Sequence, residues 1–388
     1  MAPGLYALVG LGALLLICAF HPFVTYPLSL ILFAPRQVLN QEEWATRPEV
    51  AICLSAFNEE AVIVEKVRTL IAAARRYGPA TVHIYTDGCT DRTVELIQPF
   101  ASEIDLFVSD ERRGKTHGMN TLLGRSSSLL VMFADANVVA DEMLVEQLAQ
   151  PFQDPAVGCT TASLQYSNPG ESATSLAGSV YWTIEEAVKR IESDTVGVIG
   201  VDGASFMMRR ALYQRAPDNL IDDLFVTLNV LATGASIVRV ADAVVYERSA
   251  VQPQEEYNRK VRIASQAINV HRCLWPMIKK LPALTVYAYI SHRIMKWLIP
   301  FFLVGAAAMF SVALALSFGP PAIIAVVMCT LLIVIGGRRD IAGLSLVYTS
   351  CLSLTGVAHG LILGLFSRRS YTTWEPAVSV RSPPSEPA

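Results

Sequence analysis

The sequence predicts an α/β domain with an open, mostly parallel central sheet, carried between membrane-spanning helices. Two observations lead there. The first is where charge is absent. The 388 residues are 52% hydrophobic and 17% charged, with a mean hydropathy of +0.40, against about 25% charged residues in an average soluble domain. No Asp, Glu, Lys or Arg occurs from Met1 to Pro35, from Trp297 to Gly337 or from Ile341 to Ser367. Residues 36–296 hold 57 of the 65 charged side chains, a density of about 22%, which is that of a soluble domain. This distribution excludes both a wholly soluble protein and a polytopic transporter, whose spans would need charged groups for a coupling ion. The second observation is the alternation of short apolar runs with helical patterns from Val50 to Gln165, the pattern of an α/β sheet.

The elements follow in order. A bilayer core of about 30 Å needs roughly 20 apolar residues in a helix, and Leu5–Phe33 is long enough, kinked at Pro22 and Pro27. No basic residue precedes it and no small-residue cleavage site follows, so residues 1–35 read as an anchor and not as a signal peptide. Within a domain at 36–280, Val50–Ser55 reads as a strand and Glu59–Tyr77 as a helix stopped by Gly78-Pro79. Thr81–Thr86 is a second strand, followed by Asp87-Gly88 and a helix opening near Asp91. Ile104–Val108 is a third, with Thr116–Leu123 helical after it. Leu129–Ala134 is entirely apolar, as expected of a strand buried on both faces. Residues 281–297 mix aromatic, basic and apolar side chains, which suits either a helix in the headgroup region or the first turns of a span. Within residues 298–367, Leu298–Ser317, Pro321–Ile335 and Ile341–Phe366 are three further span candidates. Residues 368–388 read as a disordered tail, Pro- and Ser-rich at its end.

Arg36 and Arg47 follow the first span while Met1–Gly4 carries no basic side chain. The positive-inside bias then places the central domain in the cytoplasm, at the inner (plasma) membrane. Arg338-Arg339 fall on that side too; Arg368-Arg369 fall on the other after four crossings, so the number of spans stays open. Residues 36–250 carry a net charge of −11 and residues 251–296 a net of +6. Basic groups beside a bilayer attract anionic lipid, and an acidic body argues against nucleic acid as a partner. Seven scattered cysteines with no C-x-x-C spacing point to neither a disulfide framework nor a zinc site.

In open α/β sheets, ligands bind beyond the carboxyl ends of the strands. The first strand ends at Asn58-Glu59-Glu60, the second at Asp87-Gly88 and the fourth at Asp135-Ala-Asn137. Singly, these are ordinary cap and turn residues. Together, acidic strand ends on one sheet edge would repel one another unless something positive lies between them. A divalent cation with a phosphorylated ligand meets that need.

These residues resemble the membrane-bound glycosyltransferases of family 2, which have the nucleotide-sugar-binding GT-A fold and include synthases of cellulose, hyaluronan and poly-N-acetylglucosamine. The resemblance covers roughly residues 48–300. It rests on Ala56-Phe-Asn-Glu-Glu60, Thr86-Asp-Gly88, Gly114-Lys115 with Asn120, and Asp135-Ala-Asn137. It continues through Val201-Asp-Gly-Ala-Ser205 before Arg209-Arg210, Asp222-Asp223 and Arg259-Lys-Val-Arg262. The order and spacing of these short pieces are what is specific. The resemblance implies that Asn58, Glu59 and Asp87 contact the base and ribose, that Lys115 helps hold the nucleotide, and that Arg262 grips the diphosphate. Asp135 fills the first place of the family's D-x-D motif, on metal and diphosphate; the third place is Asn137, whose amide oxygen can still ligate a hard cation such as Mg²⁺ or Mn²⁺. Asp202, Gly203, Ala204 and Ser205 would line the acceptor side. Asp223 matches the catalytic base, with Asp222 beside it to raise its pKa; the same pair also reads as a start signal for a helix at Leu224–Leu231. Where polymerising relatives carry Q-x-x-R-W, this chain has Arg259 in place of Gln and Ile263 in place of Trp, which weighs against processive polymerisation.

The function expected is inverting, metal-dependent transfer from a nucleotide sugar, a UDP-sugar first, to a saccharide or lipid-linked acceptor at the membrane. Exopolysaccharide or cell-envelope glycan synthesis would be its setting, with polysaccharide-export proteins as partners. Two alternatives stand beside it: a polyprenyl-phosphate glycosyltransferase, whose acceptor needs no strong base, and a catalytically silent nucleotide-binding scaffold of an export complex.

Overall fold

The computed structural model of the chain describes residues 2–37, 39–40, 44–367, 372–373 and 378–381. The basic pair Arg368-Arg369, and with it the side on which the chain ends, lies outside the described residues, as does most of the tail. Among the described residues, one sheet is built from β1 Val50–Ala56, β2 Ala80–Asp87, β3 Asp105–Ser109, β4 Leu130–Ala134, β5 Val139–Ala140, β6 Val157–Tyr166, β7 Ser205–Arg209 and β8 Ser236–Glu247. Their order is β3-β2-β1-β4-β7-β6-β8-β5. The first four in that order run parallel, as do β6 and β8, while β7 is antiparallel to both β4 and β6 and β5 to β8. Strands β1 and β4 are central and apolar because both faces are covered. Val50, Ile52 and Leu54 enter one buried cluster and Ala51 and Cys53 the other, the period of two that a pleated strand imposes.

The helices are α1 Ala2–Phe20, α2 Thr25–Phe33, α3 Ile63–Tyr77, α4 Thr93–Ile97, α5 Lys115–Arg125, α6 Leu144–Ala149 and α7 Ala173–Asp194. They continue with α8 Asp222–Ala232, α9 Pro253–Ile278, α10 Ala283–Tyr289, α11 Met295–Phe318, α12 Pro320–Arg338 and α13 Leu344–Phe366. Most expected elements are present with ends moved by one to three residues. Two differ by more. Helix α3 starts at Ile63 and not at Glu59: Asn58 sits at φ +52°, a left-handed turn that keeps Glu59 outside the helix. The apolar stretch 5–33 is two helices, broken at residues 21–24 beside Pro22, which can donate no hydrogen bond. The nine-residue α2 packs on the catalytic domain: Tyr26 is fully buried and donates its hydroxyl to Glu192 of α7 at 2.7 Å.

Among the described residues, four helices are long and apolar enough to cross a membrane: Pro3–Phe20, Ala283–Phe318, Pro320–Arg338 and Leu344–Phe366. The segment 281–297 is mostly helical and runs from α10 through a π-helical turn, Ile290–Ile294, straight into α11. Helix α13 lies along α9 on Gly356, Gly360 and Gly364. A Cβ at Gly356 or Gly364 would fall 2.8 or 3.0 Å from the carbonyl oxygens of Tyr257 or Ser265, so only glycine permits that approach. This seam holds the basic face of α9 beside the sheet edge.

Candidate active site

The ends of β1, β2 and β4, closed over by α9, enclose a cleft of about 650 Å³. Glu59, Asp87, Lys115, Asp135, Asn137 and Arg262 all contribute to its wall, so most of the nucleotide and metal residues expected from sequence do converge.

At one end, short-range turns fix the polar groups. The Asp87 carboxylate accepts from the backbone N–H groups of Arg113 (2.7 Å) and Gly114 (2.8 Å). Asn58 accepts from the Thr90 N–H at 2.8 Å and donates to the Thr90 hydroxyl at 3.1 Å, while the Glu59 N–H donates to Thr93 Oγ1 at 2.7 Å. Arg112 stacks over the Phe57 ring, 3.6 Å from its centroid. Part of the tail reaches here: Val378–Val380 form a 3₁₀ turn, and the Arg381 guanidinium meets Glu59 and donates to the carbonyls of Asn58 (2.8 Å) and Phe57 (3.0 Å). Burial pushes the Glu59 carboxyl up to about 7, against the pull of Arg381.

At the other end, a single ammonium organises the acids. Lys115 Nζ lies 2.6 Å from Asp135 Oδ1 and 3.3 Å from Asp222 Oδ2. Burial alone would lower its pKa, but Asp135 and Asp222 outweigh that and hold it above the usual lysine range. Gly203 marks the point of convergence: a Cβ there would lie 3.3 Å from Lys115 Nζ, 3.5 Å from Asp223 Oδ2 and 3.8 Å from Asp135 Oδ2. The Asp135 N–H donates to the Ala204 carbonyl at 3.1 Å. Asp222 and Asp223 stand inside the first turn of α8, whose N-cap is Ile221, so neither serves as the cap. Burial, then the neighbouring charge of Asp222, pushes the Asp223 carboxyl up to about 7, with Lys115 pulling the other way. Burial and then Arg259 pull the Arg262 guanidinium down to about 10, opposed by Asp223, Asp222 and Asp135.

Other residues are placed differently. The Asp202 carboxylate turns away to Lys189, whose Nζ is 2.5 and 2.6 Å from its two oxygens; of the expected acceptor-side residues, Gly203 and Ala204 are the ones at the acids. Arg259 is engaged with Glu256 (3.1 Å) and the Tyr166 hydroxyl (3.2 Å). Glu247, at the end of β8, was not expected. It lines the cleft, accepts from Asn137 Nδ2 at 3.1 Å, and burial raises its pKa. A carboxylate closing the run Val244-Val-Tyr-Glu247 was its only sequence signal. The repulsion that argued for a bound cation is partly met from within, by Lys115 at one end and Arg381 at the other. Among the described residues no group of three or more His, Cys, Asp or Glu could hold a metal alone. Asp135, Asn137 and Glu247 do offer hard oxygen atoms, the donor set for an ion that keeps one or two carboxylates and takes its remaining ligands from phosphate and water.

Residues 48–265, more than half of the chain, match the family described as "Glycosyltransferase like family 2", and the chain belongs to that family of sugar-transferring enzymes. An N-acetylglucosaminyltransferase of Rhizobium meliloti (strain 1021) is 26% identical over 215 residues, 51% of this chain and 50% of its own. A beta-monoglucosyldiacylglycerol synthase of Trichormus variabilis is 28% identical over 148 residues, 37% of this chain and 31% of its own. The chain spans about half the length of the N-acetylglucosaminyltransferase of Rhizobium meliloti and of one from Rhizobium sp. (strain N33). Among solved structures, mannosyltransferase PcManGT from Pyrobaculum calidifontis, in complex with GDP-Man and Mn²⁺, superposes with a TM-score of 0.72 at 18% identity, covering 93% of this chain and 100% of that one. The sheet domain is therefore GT-A-like, and the likeness in fold extends over 93% of the chain.

Proposed function

We propose that the protein is an inverting, metal-dependent glycosyltransferase acting at the cytoplasmic face of the inner membrane. It moves a sugar from a UDP-sugar, N-acetylglucosamine before others, to a saccharide or lipid-linked acceptor. The observation that carries this reading is the convergence of Lys115, Asp135 and Asp223 on Gly203. A hydroxyl attacking an anomeric carbon must lose its proton as the new bond forms. Asp223, with its affinity for protons raised to about 7, accepts that proton near neutral pH. One carboxylate acting on one face of the sugar gives a single displacement, and hence inversion. Lys115 and Arg262 supply positive charge where the nucleoside diphosphate leaves. Asp135 and Asn137, with Glu247 beside them, would hold Mg²⁺ or Mn²⁺, which when bound neutralises charge on the diphosphate. With so few protein carboxylates, the ion is expected to arrive with the nucleotide. The N-acetylglucosaminyltransferase relatives support the choice of sugar, and the Mn²⁺ in the mannosyltransferase structure supports the choice of metal.

The test incubates membranes containing the protein with radiolabelled nucleotide sugars, UDP-N-acetylglucosamine first, with Mg²⁺ or Mn²⁺. The expected result is consumption of one donor that requires both the metal and Asp223. Consumption that survives Asp223→Asn, or no consumption of any donor, overturns the reading.

A further inference from the structure

The turn Ile290–Ile294 is π-helical, within a helix that is otherwise α-helical from 283 to 318. Such turns are rare and concentrate at functional sites. This one and the turn after it aim three cationic or titratable side chains into the catalytic domain. His292 lies 2.7 Å from Glu192 and 3.1 Å from Glu185, Lys296 lies 2.7 Å from Glu185, and Arg293 lies 3.8 Å from Glu185. His292 and both glutamates are almost fully buried. Helix-to-domain sealing explains His292 and Lys296, but Arg293 reaches further. Its Nε donates to the Ile199 carbonyl at 3.3 Å, and its guanidinium covers Gly200 so closely that a Cβ there would overlap it. The N–H of the same Ile199 donates to Glu192 Oε2 at 3.1 Å. Both backbone groups of Ile199 are thus gripped by the junction between α7 and the membrane helix.

From there the chain leads directly to the catalytic end. The Val201 N–H donates to Thr227 Oγ1 at 3.1 Å, and the Thr227 hydroxyl donates to the carbonyl of Asp223 at 2.7 Å. Asp202 is clamped by Lys189, and Gly203 follows at the point where Lys115, Asp135 and Asp223 meet. We propose that Arg293, on the π-helical turn of a membrane helix, is a positioning residue that holds residues 199–203 so that Gly203 stays seated against Asp223. The membrane helix then sets the geometry of the transfer site as well as anchoring it. Only the kinetic half of the test below rests on the proposed glycosyltransferase activity.

The test compares Arg293→Ala, Arg293→Lys, Gly200→Ala and the double variant Arg293→Ala/Gly200→Ala in the full chain, reconstituted in lipid nanodiscs. Deuterium uptake over residues 198–203 is measured alongside the turnover of UDP-N-acetylglucosamine. Arg293→Ala and Gly200→Ala are each expected to raise uptake and to lower kcat about 10-fold, since a misplaced group costs rate at a distance. Donor KM should stay within about 2-fold, because the nucleotide end is untouched. The double variant should be no worse than the poorer single one, since both changes break the same contact. Arg293→Lys should recover part of the loss, and it carries the comparison with Gly200→Ala if the alanine variant does not fold. Unchanged uptake in Arg293→Ala, or effects that simply add, overturns the proposal. If the wild-type chain consumes none of the donor, the functional reading fails on its own and deuterium uptake alone decides this one.

Discussion

At the Asn58–Asp87 end of the cleft, most hydrogen bonds come from turn residues nearby in the chain, while the Glu59 carboxylate pairs with Arg381 of the tail. Asp87 binds two N–H groups 26 and 27 residues on, and Asn58 and Glu59 bind turn residues 32 and 34 residues on. At the Asp135–Asp223 end, one ammonium from Lys115 stands among acids from two other elements, and Arg262 comes from a third. The first end is a frame of backbone and side-chain hydrogen bonds with Arg112 and Arg381 at its margin. The second is a charge cluster in which burial and then Asp222 raise the Asp223 carboxyl, whereas at the first end burial raises Glu59 against the pull of Arg381. The two ends therefore differ in how their acids are partnered: by local turns and a tail arginine at one, by a single lysine from another element at the other.

The sharpest way to break this contrast is Asp223→Asn. It should lower turnover by about 10²- to 10⁴-fold, the usual worth of a positioned base, while donor KM stays nearly unchanged; steady-state kinetics on the identified donor would read both. A smaller effect is expected from pH. Asp223 is held at about 7 in the folded protein, and only its ionised form accepts a proton. Turnover should therefore fall about 10-fold per unit as pH drops below that value, so a rate that stays flat down to pH 5 would mean the base lies elsewhere. The smallest effect belongs to the other end. Arg381 covers the carbonyls of Phe57 and Asn58 and pairs with Glu59. Arg381→Ala should tighten UDP binding about 2- to 5-fold, the scale of a weak ion pair at the mouth of a cleft, as measured by calorimetric titration, with kcat unmoved.

Much of this was legible in the sequence because it is locally encoded. The apolar runs of β1 and β4 and the acidic residues closing β1, β2 and β4 are short-range patterns, and the structure places those acidic residues around one cleft. The break at Pro22 was half legible. Proline announced a kink, but burial of Tyr26 against Glu192, 166 residues away, turned α2 onto the domain and out of the first span. Glu247 was missed because its partner Asn137 is 110 residues away. The Arg381 contact, 322 residues from Glu59, left no local trace.

The sequence by itself determined which stretches are apolar enough to enter a membrane, that four segments between Val50 and Ala134 are strands, and that acids would gather at their ends; strands β5 to β8 were not read from it. Each of those properties depends on the period or composition of a few neighbouring residues. Only the tertiary structure decided which cation stands against which acid. It put Lys115 between Asp135 and Asp222, gave Asp202 to Lys189 and took it out of the cleft, and brought Arg293 from a membrane helix onto Gly200. Electrostatic and steric pairing depends on distance through space, and for residues a hundred positions apart that distance exists only once the sheet and its helices have packed.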